Sequence, residues 1–271
     1  MDSFKTGYFF GHNNQMGSFE DVTVTESEFE YKYIDWHSHE NPYFSLTLAG
    51  HCLESNRRKT YYCSANSLLF HNAQESHYNV KSGDVSLGFQ VEIDPEWYKK
   101  FELDLSDLPA TAQIAHPGIK LLLHNIYKEA CLCETTSSLT VDALLLEAFE
   151  TMRGVESADV SGRPRWVGRI DEILHEESER PLSLLEISTE LGVHWAHLSR
   201  DFPKYFHCNF SQYVRKIKVE RSLGLLRKRS VPMADIANMC GFADQSHFIR
   251  CFKQCTGLTP RSFRKIIINF S

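Results

Sequence analysis

The sequence predicts a multidomain α+β protein: an antiparallel β-barrel with attached helices, followed by an all-helical domain with two helix-turn-helix motifs. Three observations support this prediction. Apolar and polar residues alternate with a period of two in the first third of the chain, one short pattern occurs twice near its end, and the two halves carry opposite net charge. A length of 271 residues suits two domains with ordinary hydrophobic cores.

The barrel is predicted from short strands that follow one another without helices between them. Turn-forming residues such as Pro42 and Gly50 separate these strands, which together occupy residues 1–110. Apolar residues take alternate positions in three stretches: Phe29, Tyr31 and Tyr33; Phe44, Leu46 and Leu48; and Val85, Leu87, Phe89, Val91 and Ile93.

Two amphipathic helices are predicted after the barrel, in residues 111–153. The first begins near Pro117, and the second covers Leu139–Met152. Their apolar stripes fit packing within the chain, and they also make the pair a candidate dimerisation element of a homodimer. Residues 154–164, rich in Ser, Gly and acidic residues, are predicted to form the interdomain linker.

The repeated pattern starts at Ile187 and again at Ile236, within the predicted helical domain of residues 165–271. Each copy predicts a helix, a glycine turn and a second helix, which is the arrangement of a helix-turn-helix. One long helix over 210–229 is predicted to join the two copies. At 1.5 Å per residue it is roughly 30 Å long, close to the roughly 34 Å of one DNA turn.

Local signals mark the ends and faces of these helices. Ser183 with Glu186 is a predicted capping box, and Asp244 is a predicted N-cap in the second copy. Helical spacing places Arg200 and Arg250 on the solvent faces of the two second helices. The predicted buried stripes are Trp195, Leu198, Phe202 and Phe206 in the first copy, and Phe248, Phe252 and Cys255 in the second.

The second copy, with the Gly257-Leu258-Thr259-Pro260 that follows it, resembles the signature of the AraC/XylS transcription regulators. The first copy matches the first helix-turn-helix of that family. The resemblance implies promoter DNA as a partner and RNA polymerase as a further candidate partner. It assigns base-facing or groove-facing positions to Ala196, Ser199, Arg200, Gln245, Ser246, Ile249 and Arg250. Lys253 and Arg261 are predicted to contact phosphates.

Three positions depart from the family pattern. His194 stands where a serine cap is usual, Ser188 replaces a small alanine, and Pro203 lies inside the first recognition helix. Because proline lacks a backbone donor, Pro203 is predicted to kink or shorten that helix.

Net charge also differs between the predicted DNA-binding half of the chain and the half that precedes it. Residues 164–271 contain 17 Lys and Arg against 11 Asp and Glu, whereas the preceding residues contain 12 against 24. A basic module is expected of a phosphate-binding half, because Lys and Arg displace counterions from DNA. A merely solvated basic surface would carry the same charge, so the tandem motif supports the DNA-binding prediction more strongly.

Residues 20–93 resemble, more loosely, the cupin-like sensory domain of the same family, through Trp36-His37-Ser38-His39, Gly50 and His77. This resemblance implies a small-molecule effector bound in the barrel. The predicted effector-binding residues are His37, His39, Tyr43, His71 and His77.

A metal ion is the alternative occupant of the barrel. His37 and His39 lie two residues apart on a predicted strand and face the same side, and His77 comes from a later strand. Cupin enzymes usually add a carboxylate shortly after the second histidine, whereas Tyr43 occupies that region here and Glu40 is the nearest carboxylate. The histidines are therefore expected to line an organic-ligand pocket or to pack in the core, and no cofactor is assigned.

The sequence thus predicts a cytosolic one-component transcription regulator, not an enzyme, that senses a small molecule. No apolar run has membrane length and no leader opens the chain, so no membrane partner is expected. The alternative is a cupin-type metal-dependent enzyme fused to a DNA-binding domain, although the sequence lacks a nucleophile elbow and a phosphate-binding glycine loop. A regulator without a ligand is a third hypothesis.

Overall fold

The chain forms two compact units, residues 1–115 with 126–142 and residues 116–125 with 143–271. None of the described helices combines the length and hydropathy that a bilayer crossing requires. The computed structural model describes residues 2–81, 86–104, 108–132, 134, 136–157, 164–176 and 183–269.

The first unit consists mainly of short strands. Their bounds are β1 Asp2–Phe4, β2 His12–Phe19, β3 Val22–Glu28, β4 Tyr33–His39, β5 Tyr43–Ala49, β6 His51–Asn56, β7 Thr60–Ser64, β8 Leu68–His71, β9 His77–Lys81, β10 Leu87–Ile93 and β11 Ala112–Gln113. One sheet has the order β1-β4-β9-β6-β7 and the other β11-β8-β5-β10-β3-β2. The described strand pairs are antiparallel except β1 with β4, so the predicted antiparallel domain is confirmed with one parallel edge.

The core of this unit lies where the predicted strands around residues 44 and 89 meet. Val91 on β10 lies opposite both Phe44 on β5 and Val24 on β3, and all three side chains are fully buried. The two strands predicted here are confirmed as β5 and β10, but burial does not alternate along β10: Gln90 and Glu92 are each only 1% exposed, so both faces of this strand are covered. Val85 lies outside the described residues.

The strand predicted around Phe29 and Tyr31 is wrong. β3 ends at Glu28 and β4 begins only at Tyr33, so the intervening residues connect the two strands. Tyr31 and Tyr33 are each 55% exposed, so their alternation with charged residues does not mark a buried face.

Helices make up most of the second unit, and one short helix and parts of two others belong to the first. Their bounds are α1 Pro95–Lys100, α2 Pro117–Leu132, α3 Ser137–Ser157, α4 Arg165–Glu176, α5 Leu184–Glu190, α6 Trp195–Phe206, α7 Phe210–Leu226, α8 Met233–Met239, α9 Gln245–Thr256 and α10 Pro260–Asn269.

The predicted helices after the barrel are present as α2 and α3. Their apolar stripes are buried within the chain itself: Ile126 and Tyr127 on α2 and Val141 and Leu145 on α3 have no exposed surface. Helix α3 continues to Ser157, so the first four residues of the predicted linker are helical. Residues 158–163 of that linker lie outside the described residues.

Helix α7 is shorter than the sequence predicts, because it ends at Leu226 instead of Arg229. Its length of 17 residues corresponds to about 26 Å. The side chain of Arg264 caps this end: Nε donates to the Leu226 carbonyl at 3.1 Å, and Nη2 donates to the carbonyl of Val231, beyond the helix, at 2.8 Å. A cation bonded to the last carbonyls of a helix satisfies acceptors that the helix itself leaves open.

A buried ion pair in the second unit has no counterpart in the sequence patterns. Lys120 Nζ on α2 lies 3.2 Å from Glu220 Oε1 on α7, and the two side chains are only 11% and 6% exposed. Residues 116–125 and α7 belong to the same compact unit, so this pair is part of its interior.

His124, near that pair, makes the second unit sensitive to acid. Burial, and next the charges of Arg227 and Lys120, lower the pKa of His124 to about 3. Its pKa in the unfolded chain is about 6.5, so between these values the unfolded state binds more protons, and stability falls as pH decreases.

We expect His124 alone to lower the free energy of unfolding by about 2 kcal/mol between pH 7 and pH 5. Urea unfolding of the His124→Gln variant at both pH values should show a smaller decrease than the wild type by about that amount. The matched control is His12→Gln, because His12 is exposed. Equal pH dependence of wild type and His124→Gln would contradict the assignment.

Candidate functional site

The first helix-turn-helix is formed by α5 and α6. Ser183 accepts from the backbone N–H of Glu186, and Glu186 Oε2 accepts from the Ser183 N–H at 2.8 Å, which confirms the predicted capping box. Gly192 has φ +64°, the left-handed conformation that ends α5. His194 caps α6 in place of the usual serine, since its Nδ1 accepts from the Ala196 N–H at 3.3 Å.

The second helix-turn-helix, formed by α8 and α9, has the same design. Gly241 turns the chain with φ +72°, and Asp244 caps α9 by accepting from the His247 N–H at 2.7 Å. Helices α6 and α9 are both 12 residues long. Of the two effects predicted for Pro203, shortening of α6 is wrong, because the helix continues past it to Phe206. The kink stays a prediction.

The inward faces of α6 and α9 follow the predicted stripes with one correction. Leu198, Phe202 and Phe206 are buried on α6, and Phe248 and Phe252 are buried on α9. Cys255 is half-buried.

The correction is Trp195, which is 51% exposed instead of buried. It is the first residue of α6, and its ring lies 5.8 Å from that of His194. A position on the apolar stripe buries a side chain only where the facing core extends to that end of the helix.

The outward faces of α6 and α9 present matching positions. Arg200 is the sixth residue of α6 and Arg250 the sixth of α9, and both are exposed. Among the other residues assigned to DNA, Ile249 is half-buried. The remaining six are exposed: Ala196, Ser199, Gln245, Ser246, Lys253 and Arg261.

Arg200 is engaged by its neighbours. Its Nε and Nη2 donate to Asp201 at 3.1 and 3.2 Å, and Nη2 also lies 3.0 Å from His197 Nδ1. Lys204 reaches the same carboxylate at 2.9 Å. Hydrogen bonds from Arg200 and then Lys204 hold the pKa of Asp201 well below its usual range. An acid thus holds one of the side chains assigned to DNA.

The five predicted effector residues come together inside the first unit. His37, His39, Tyr43, His71 and His77 are each 4% exposed or less. The ring centroids of His37 and His77 are 4.2 Å apart, and Tyr43 stacks on His71 at 4.3 Å with an interplanar angle of 6°. The Tyr43 hydroxyl lies 3.2 Å from His77 Nε2.

Backbone carbonyls hold two of these histidines. His37 Nδ1 hydrogen-bonds the Asp35 carbonyl at 2.8 Å, and His77 Nδ1 hydrogen-bonds the Glu75 carbonyl at 3.2 Å. Because a carbonyl only accepts, Nδ1 carries the proton in both rings, and Nε2 is the atom with a lone pair. Both rings therefore present an acceptor nitrogen.

Burial favours the neutral form of His39, His71 and His77. Desolvation, and then the neighbouring imidazoles His77 and His37, lower the pKa of His39 to about 2. Desolvation, followed by His37, lowers the pKa of His77 to about 3, and desolvation holds the pKa of His71 well below 6.5.

Glu54 is a member of this cluster that the sequence analysis missed. Its Oε1 lies 3.3 Å from His71 Nε2, and Asn79 Nδ2 donates to its Oε2 at 3.0 Å. Burial, followed by the charge of Cys52, raises the pKa of Glu54 to about 8, so the contact with His71 is not an ion pair at neutral pH. Glu40, the carboxylate considered from the sequence, is exposed.

Aromatic residues near the N-terminus also reach the cluster. Phe9 stacks on His39 with centroids 4.8 Å apart, and Phe10 meets His37 edge-on at 5.0 Å. Strand β1 pairs in parallel with β4 and places Phe4 opposite His39. The adjacent Phe9 and Phe10 were a visible apolar signal, but no pattern indicated their partners.

Comparisons with known proteins agree with both halves of this description. Residues 21–149 match the family model of the AraC-like ligand binding domain, and residues 187–266 match a helix-turn-helix domain. The chain is similar to the HTH-type transcriptional regulator GbdR of Pseudomonas aeruginosa, with 34% identity over 87 residues, 32% of this chain and 24% of GbdR.

It is also similar to the Msm operon regulatory protein of Streptococcus mutans, with 29% identity over 127 residues, 47% of this chain and 45% of that protein. The chain therefore spans less than half the length of these curated relatives. Among solved structures, ToxT from Vibrio cholerae is similar with a TM-score of 0.37 and 12% identity, over 91% of this chain and 98% of ToxT.

Proposed function

Because this chain belongs to the AraC family of transcription regulators, we propose that it binds promoter DNA sequence-specifically and that a small molecule bound in its first unit controls this binding. The observation that carries the proposal is the matched pair of α6 and α9. Each is a 12-residue helix that follows a glycine turn and carries an exposed arginine at its sixth position.

The residues assigned to DNA fall into groups according to their side-chain chemistry. Arg200, Arg250 and Gln245 have the side chains that hydrogen-bond base edges in the major groove, whereas Lys253 and Arg261 suit phosphates. The smaller side chains on the same faces allow close approach or apolar contact: Ala196, Ser199, Ser246 and Ile249.

The effector is proposed to bind at His37, His39, Tyr43, His71 and His77. All five are buried in one cluster, and the family model that covers them is that of a ligand-binding domain. An effector shifts DNA binding only if its affinity differs between two conformations of the chain. The matched relatives are transcription regulators, which supports this function over the enzyme hypothesis.

A cytosolic location, a homodimer and contact with RNA polymerase complete the proposal. The apolar stripes of α2 and α3 are already buried, so a dimer interface has to use other residues. Leu139 on α3 is 74% exposed and is one apolar candidate. Sedimentation equilibrium of the full chain tests the dimer directly.

Selection of DNA from a random pool by the purified full chain tests the function. We expect enrichment of one sequence motif, tight binding to it by fluorescence anisotropy, and much weaker binding to its scrambled version. Equal affinity for the selected and scrambled duplexes over a range of salt concentrations would overturn the proposal, because phosphate attraction alone gives that result.

The carboxylate of Asp201 offers a second test, in which a substitution is expected to strengthen DNA binding. Asp201→Asn should tighten DNA binding by roughly two- to fivefold, because it removes a negative charge from α6 and releases Arg200 from its carboxylate partner. Asp235→Asn, on α8 in the first turn, is the matched control for general charge. Anisotropy that shows the same gain for both variants would mean that Arg200 is not involved.

A further inference from the structure

Two overlapping sets of metal-binding side chains meet in the buried cluster of the first unit. One is the histidine set His37, His39 and His77, which the sequence analysis considered. The other is Glu54, His71 and His77, from strands β6, β8 and β9. In each set, the candidate ligand atoms all lie within 4.8 Å of one another.

The second set contains buried polar atoms without partners. Among the described residues, Glu54 Oε1 and both ring nitrogens of His71 have no hydrogen-bond partner, although they are shielded from water. Glu54 Oε1 and His71 Nε2 approach within 3.3 Å but are not aligned as a hydrogen bond. Buried polar atoms are almost always satisfied, so three orphaned atoms at one place indicate a missing ligand.

Neighbouring groups already orient the remaining atoms of this set. The Glu75 carbonyl holds His77 Nδ1, which leaves Nε2 as the ligand atom. Asn79 donates to Glu54 Oε2, which leaves Oε1 directed at His71. Hydrogen bonds of this kind orient metal-binding imidazoles and carboxylates in proteins.

We propose that Glu54, His71 and His77 bind one divalent first-row transition-metal ion. Two imidazoles and one carboxylate suit Zn²⁺ or Fe²⁺, whereas Mg²⁺ and Ca²⁺ prefer sites made of oxygen ligands. A dication also reverses the effect of burial on the carboxyl, because it favours the ionised form of Glu54. The ion replaces the contact between the Tyr43 hydroxyl and His77 Nε2, now 3.2 Å, and leaves that hydroxyl beside the bound metal.

This inference deepens the effector proposal, because His71 and His77 belong to both sites, but it does not depend on DNA binding, so its test uses no DNA. The full chain is stripped with EDTA and titrated with Zn²⁺ by calorimetry and with Co²⁺ by visible absorption. Metal content after gel filtration is measured by mass spectrometry. We expect one ion per chain and a higher melting temperature with metal.

Variants assign the ligands. Glu54→Gln and His71→Gln should each weaken Zn²⁺ binding by at least about tenfold. If circular dichroism shows that His71→Gln does not fold, the Zn²⁺ affinity of Glu54→Gln alone tests the proposed site. His51→Gln is the matched control, because His51 lies on the same strand as Glu54 but outside both sets. His39→Gln should retain the ion, since His39 belongs only to the first set.

The proposal is overturned if the wild type binds neither ion with a stoichiometry near one. It is equally overturned if Glu54→Gln binds Zn²⁺ as tightly as the wild type. Loss of binding in His39→Gln with retention in Glu54→Gln would place the ion in the histidine set instead.

Discussion

Replacing Lys120 with methionine is expected to lower the free energy of unfolding by about 3–5 kcal/mol, because it removes the ammonium group that lies against the buried Glu220 carboxylate. The Nζ–Oε1 distance is 3.2 Å, and neither side chain has more than 11% of its surface exposed. Methionine keeps most of the volume of lysine, so the loss reports the charge and not a cavity. Urea unfolding at pH 7 measures it.

A double-mutant cycle separates the interaction energy between Lys120 and Glu220 from the effects of their other contacts. In the variant with both Lys120→Met and Glu220→Leu, most of the lost stability should return, since an apolar pair of similar volume avoids the desolvation of two charges. Lys99→Met is the matched control, because the Lys99–Glu96 pair is 68% and 64% exposed. A loss for Lys120→Met no larger than that of Lys99→Met would contradict the prediction.

Replacing Arg200 and Arg250 with alanine is expected to have the largest effect on DNA recognition. One arginine bonded to guanine O6 and N7 contributes about 1–3 kcal/mol of discrimination, so each variant should lose preference for the selected sequence by roughly 5- to 150-fold. The two residues lie on different helices, and the losses should add approximately in the double variant. Anisotropy titrations with selected and scrambled duplexes measure the preference.

Lys253→Ala and Arg261→Ala provide the matched comparison. Both side chains are exposed, and loss of a phosphate contact should weaken binding to all sequences alike and reduce the salt dependence by about one charge. If Arg200→Ala and Arg250→Ala each keep the full preference for the selected sequence, the two arginines do not contact bases.

The cluster around His77 shows how far a strand pattern predicts a site. The spacing of His37 and His39 correctly indicates one shared face, and the family resemblance includes His77. Tyr43 and His71 are predicted to share the pocket, but the sequence does not fix the direction of their side chains. Glu54 carried no such signal, because its strand pairs with β9 through a register that only the folded sheet defines. A period of two tells which side chains share a face, but it does not tell which strands are neighbours.

The sequence by itself determined the local features of the helical domain: the capping box at Ser183, the turns at Gly192 and Gly241, and the faces of α6 and α9 that are buried. Each depends on hydrogen bonds or side chains within about four positions, so a short window contains the whole interaction.

Only the tertiary structure decided the contacts between distant residues. Lys120 and Glu220 are 100 positions apart, and Arg264 caps α7 at Leu226 from 38 positions away. The exposure of Trp195 likewise follows from where the core stops and not from its place on an apolar stripe. Such contacts depend on how whole elements pack, and the same local pattern is compatible with many packings, so the folded chain alone selects one.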